Sequence, residues 1–167
     1  SLKKKDSDLR AYKITKRQAF YYSFTSVAGT SYLCYFIPYD YLFTNYPLIA
    51  SYIYSFNLDV EKGKSKEQPL DERIGITVAK IIKDYLLNND NAVVYICDSS
   101  DYREHLRKRK FDTWFRKNDD GTIIKIDRKI YISESVLFNS LLIHKDNPFK
   151  NSFIEAFIEL NEKSEDK

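Results

Sequence analysis

The sequence predicts an α/β (α+β) domain in which a mixed, mainly antiparallel sheet carries three helices. Three observations predict it. Several runs alternate apolar and polar residues, as half-exposed strands do. A helical stripe over residues 74–86 is followed by the apolar run Ala92 to Cys97 and then by a second helical pattern, an order that requires a crossover and at least one parallel pair. Ten of the 14 tyrosines fall within residues 1–60, where their rings suit a pleated, half-buried surface. A length of 167 residues fits one domain.

Each element follows from its residues. Residues 1–17 hold seven Lys/Arg against Asp6 and Asp8. Residues 1–8 read as a flexible arm and 9–167 as a single globular domain. Phe20, Tyr22 and Phe24 share one face of a first strand. Gly29-Thr30 marks a turn. Tyr32 to Ile37 is apolar on both faces, as a central strand is, and Pro38 ends it. Leu48 to Val60 alternates, with Tyr52, Tyr54, Phe56 and Leu58 opposite Ser55, Asn57 and Asp59. Residues 61–68 form a low-complexity loop. Asp71 caps a helix striped by Ile74, Val78, Ile81, Ile82, Tyr85 and Leu86. After the strand at 92–97, Asp101 and Glu104 make a capping box for a helix over about 101–117. Thr122–Ile126 and Lys129–Ile132 read as a hairpin around Asp127-Arg128, with another strand near 138–144. Asn147-Pro148 opens a last helix striped by Phe149, Phe153, Phe157 and Leu160.

Composition narrows the function classes. With 43% apolar and 31% charged residues, the chain reads as a soluble globular protein. No apolar run is long enough for a membrane span or a secretory leader, so the expected location is cytoplasmic, with no membrane partner. Two cysteines cannot build a disulfide framework. His105 and His144 lack a metal-ligand spacing, so no metal is expected. A net charge of +3 is too small to imply nucleic acid by itself.

The junction Cys97 to Arg103 joins a buried strand to a helix, the place where open α/β sheets bind ligands. On the helix that follows, with Leu106 set at zero, Trp114 falls at about 80°, Phe111 at about 140° and Phe115 at about 180°. Arg103 and Arg107 then lie near the middle of the apolar face. A buried guanidinium needs a partner, and Asp98 is the nearest carboxylate in sequence that capping does not use. A buried polar cluster of Asp98, Arg103 and Arg107 is therefore expected. It is either a structural network or arginines kept for a phosphate or carboxylate.

The run Tyr95-Ile96-Cys97-Asp98, followed by Asp101, Arg103, Arg107, Phe111 and Trp114-Phe115, resembles an uncharacterised bacterial domain family of unknown function. That resemblance brings no activity. The layout of residues 49–144 (long strand, loop, helix, strand, helix, strand pair) is similar to the core of the GNAT acetyltransferases. Their pyrophosphate signature opens the first of these helices, and Glu72-Arg73-Ile74-Gly75-Ile76-Thr77 keeps its central glycine. The resemblance implies coenzyme A or acyl-CoA as cofactor, held by Arg73, Gly75 and Ser99, the last standing where the family has asparagine. Leu106 replaces the tyrosine that serves many relatives as general acid, and Tyr102, one turn back, is the nearby substitute. Asp59 or Glu61, at the end of the long strand, would be the base.

Fold alone does not carry function. The leading reading is a non-catalytic or degenerate module of GNAT-like fold, taking a small anionic ligand or a protein in the Arg103/Arg107 cleft. The alternatives are an acyl-CoA-dependent N-acyltransferase, and single-stranded nucleic-acid binding by the basic arm, the basic helix and the tyrosines. A splayed parallel pair between strands 49–60 and 92–97, with an open cleft, would strengthen the acyltransferase; a closed, filled seam would weaken it.

Overall fold

The computed structural model describes residues 10–40, 43–62, 71–97, 104–132 and 135–165. Among the described residues, seven strands form one sheet: β1 (Thr15–Gln18), β2 (Tyr21–Thr25), β3 (Ser31–Pro38), β4 (Ile53–Lys62), β5 (Ala92–Cys97), β6 (Ile123–Ile132) and β7 (Ser135–His144). Their order across the sheet is β1-β2-β3-β4-β5-β7-β6. The pair β4–β5 is parallel, and every other neighbouring pair is antiparallel. Helices α1 (Glu72–Tyr85), α2 (Glu104–Asn118) and α3 (Lys150–Glu165) complete the fold. The mixed sheet with three helices agrees with the sequence.

Strand alternation sorts the core into two layers. Tyr32, Cys34, Phe36, Phe56, Val93 and Leu142 point to one face and pack with Ile74, Val78, Ile81, Phe111 and Trp114 of α1 and α2. Ile53, Ala92, Val94, Leu141 and Ile143 point to the other and pack with Phe153 and Phe157 of α3. The α1 stripe is buried as its spacing predicts, and Asp71 accepts the Arg73 backbone N–H at its N-cap. Asn147 likewise accepts from the Phe149 N–H ahead of α3.

Five expectations need correction. β1 has no counterpart in the sequence reading, because its four residues are all exposed and give no apolar alternation. β2 begins at Tyr21, since Phe20 occupies the turn with φ of 70°. The long strand starts only at Ile53, behind a short 3-10 turn at Ala50–Tyr52, and Tyr52 therefore stacks on Phe149 in the α3 layer. The hairpin expected around Asp127-Arg128 is a single strand of 10 residues, paired continuously with β7. Asp127 stays within it because Ser140 and Lys125 donate hydrogen bonds to its carboxylate. Finally, Leu106 is 61% exposed. The buried face of α2 runs through Phe111 and Trp114 and turns away from Leu106, which leaves Arg107 half-buried rather than central.

Candidate functional site

β4 and β5 pair only from Ile53/Ala92 to Phe56/Tyr95. Beyond that point β4 continues along β3 to Lys62, while Ile96 and Cys97 continue along β7. The strands part in the middle of the sheet, at the carboxyl ends of a parallel pair, the topological position at which α/β sheets take ligands. A register shift between Ser31 and Tyr32 leaves Glu61 as the extra residue on β4, a bulge that bends the strand end. Residues 63–70 and 98–103, which follow the two strand ends, lie outside the described residues.

On the α2 side of this parting, Tyr95 stacks on Phe111 with ring centroids 3.9 Å apart. Cys97 is buried, and burial pushes its thiol up, while the neighbouring Tyr95 hydroxyl and Arg107 guanidinium pull the other way. Burial also raises the Tyr95 hydroxyl, with the neighbouring Cys97 adding to the rise and Arg107 opposing it. Arg107 is thus the cation at the end of β5. The expected partner Asp98 and the second arginine of the cluster, Arg103, together with Ser99 and Tyr102, lie outside the described residues.

Next to Arg107 is a network that sequence reasoning missed. Lys108 Nζ lies 2.6 Å from Asp112, Lys125 Nζ lies 2.8 Å from Asp112 and 2.6 Å from Asp127, and Ser140 donates to Asp127 at 2.6 Å. The Lys125 side chain is only 9% exposed, so both carboxylates are needed to offset its desolvation. Burial raises Asp127, but the Lys125 and Ser140 hydrogen bonds outweigh it and leave the carboxyl below its ordinary value. The signal was present in the sequence: Lys125 and Asp127 share a strand face at i, i+2, and Lys108 and Asp112 a helix face at i, i+4.

The remaining predicted site residues stand apart from one another. Arg73 donates to the Arg10 carbonyl at 2.8 Å and lies 4.0 Å over the Tyr12 ring. Tyr12 donates through its hydroxyl to Asp71 and through its backbone N–H to Thr77. Over Gly75 sits the Trp114 indole, so that a Cβ there would meet Cδ1 at 2.3 Å. The start of α1 is therefore covered by the segment around Tyr12, carries a carboxylate cap, and has its glycine filled by an indole. A coenzyme A pyrophosphate does not fit that arrangement. Asp59 accepts from the Tyr35 hydroxyl at 2.7 Å, on the sheet face away from α1 and α2, and this bond, ahead of burial, pushes Tyr35 up to about 12. Glu61 is held by Arg17 at 2.7 and 2.8 Å. An apolar pocket between α1 and α2, lined by Val78, Ile82, Phe111, Trp114 and Leu142, measures about 30 Å³, room for a water molecule or two.

Among the described residues, no helix is long and apolar enough to cross a membrane. No curated protein matches the chain. A family profile matches residues 70–159, which run from the start of α1 into α3 and include Arg107 and its network. The match covers more than half of the chain, so the protein belongs to DUF6169, a family of unknown function.

Proposed function

We propose that this domain is a non-catalytic binding module of GNAT-like fold, which takes a small anionic ligand where β4 and β5 part, beside Arg107. The carrying observation is that the parallel pair ends at Phe56/Tyr95 while both strands continue with other partners. The sheet order and the single parallel pair support the GNAT-like part of the reading. Arg107 supports the anion, because a guanidinium matches phosphate and carboxylate in a way an ammonium does not. A lack of catalysis is supported by what holds the base and cofactor candidates: Asp59 bonds Tyr35, Glu61 pairs with Arg17, and Arg73 and Gly75 are engaged by Arg10, Tyr12 and Trp114.

Thermal melting with inorganic pyrophosphate and with coenzyme A, each millimolar, tests the reading. A ligand at ten times its dissociation constant stabilises by about 1.4 kcal/mol, a rise of roughly 3–6 °C for a domain of this size. The expected result is a rise with pyrophosphate in the wild type that is absent in Arg107→Gln, and no thiol release from acetyl-CoA with an amine acceptor. Acyl transfer would replace this reading with the acyltransferase. No stabilisation by either anion would remove the anionic ligand.

A further inference from the structure

Helix α2 is much more basic than the rest of the molecule. Residues 104–118 hold six Lys/Arg against Glu104 and Asp112, a net +4 in a chain whose total is +3. Asp112 does not balance the solvent face of the helix, for it is turned inward to Lys108 and Lys125. Arg109, Lys110, Arg116 and Lys117 are exposed along one side of the helix. Lys117 pairs with Glu72, and Lys110 lies over the Trp114 ring. Arg109 and Arg116 have no ion-pair partner among the described residues. Surface helices that only need solubility interleave the two signs, whereas the exposed side of this one, through Arg109, Lys110, Arg116 and Lys117, is positive.

The spacing suits a repeating anion. Arg109 and Arg116 are two helical turns apart, a rise of about 10 Å, which is the axial length of about three base pairs. Lys129 of β6 projects on the same side of the sheet as α2, near Phe138, and extends the positive surface past Lys108. The opposite side of the sheet carries α3, whose Glu155 and Glu162 are exposed and whose Glu159 accepts from the Tyr46 hydroxyl. The charge is therefore split across the sheet, and a polyanion approaching this molecule is steered to the α2 side.

We infer that the outer face of α2 docks the phosphate backbone of a nucleic acid, with Arg109 and Arg116 as the two phosphate contacts. This surface lies on the other side of the helix from Phe111 and Trp114 and does not depend on the ligand site at the strand parting. Contacts to phosphate carry affinity and its salt dependence without reading sequence.

Fluorescence anisotropy of a short labelled DNA duplex, measured against salt, tests this. The wild type should bind at low salt, with log K falling linearly in log salt. The Arg109→Gln/Arg116→Gln variant should bind about tenfold or more weakly, with a slope smaller by about 2, one for each lost contact. Glu155→Gln on α3 should leave the slope unchanged. A Lys3→Gln/Lys4→Gln/Lys5→Gln variant separates binding by the N-terminal lysines. If only that variant loses affinity, or if the duplex does not bind at low salt, the inference fails. Binding to poly-glutamate but not to the duplex would also overturn it and point to an acidic protein partner.

Discussion

Trp114 of α2 packs directly on Gly75 of α1: a Cβ on residue 75 would sit 2.3 Å from indole Cδ1 and 2.7 Å from Cγ. The missing side chain opens a notch in α1 that receives the indole of α2. Lys117 to Glu72 and Lys83 to the Asn118 carbonyl fix the same crossing on either side. Gly75 serves helix packing here, and the carboxyl-terminal half of α2 is held in register with α1 while its first turn reaches the end of β5.

Gly75→Ala should therefore destabilise the domain by about 1–2 kcal/mol, since overpacking outweighs the helix propensity gained. In a Trp114→Leu background the same substitution should become neutral or stabilising. Urea unfolding of the four proteins in this double-mutant cycle measures the coupling. Additive effects would mean that the notch does not explain the glycine.

Arg107→Ala should cost about 1–2 kcal/mol, less than the 3–5 of a fully buried ion pair, because a half-exposed guanidinium keeps part of its hydration. Arg109→Ala, on the outer face, should change stability by less than about 0.5 kcal/mol. Chemical denaturation distinguishes them, and equal losses at the two positions would contradict the orientation of α2.

The Asp127 network predicts an acid dependence. Its folded carboxyl lies below the ordinary value, so its contribution is present above the ordinary carboxylate range and is lost as pH falls through that range to the folded value. Asp127→Asn should lower the urea midpoint at pH near 7, and the gap to the wild type should narrow steadily below about pH 4. A gap that stays constant with pH would show that the network's charge is not what stabilises.

How far the sequence could be read depended on whether side chains met a core. α1, β5 and α3 were legible because Ile74, Val78, Ile81, Val93, Phe153 and Phe157 repeat at the period of their element and all become buried. β1 was not, since nothing in Thr15–Gln18 is buried and its pairing is set by β2 alone. β6 was split in two by the polar pair Asp127-Arg128, of which Asp127 is satisfied across the sheet at Ser140, a partner that local turn chemistry does not reveal. At the candidate site, Arg107 was singled out from its place on the apolar face of the helix, and its burial was overstated. Leu106 was taken as the anchor of the apolar face, whereas the notch at Gly75 sets the rotation of α2 by drawing in Trp114. The engagement of Arg73 by Arg10 and Tyr12 spans more than 60 residues of chain and left no local trace.

The central claim is that a small anion enters where β4 and β5 part. The most direct measurement is an amide NMR titration of the full chain with inorganic pyrophosphate. Saturable shifts are expected at Phe56, Asn57, Tyr95 and Cys97, lost in Arg107→Gln, while Glu72, Arg73 and Ile74 at the covered start of α1 stay still. Shifts confined to the start of α1, or none at the strand parting, would contradict it.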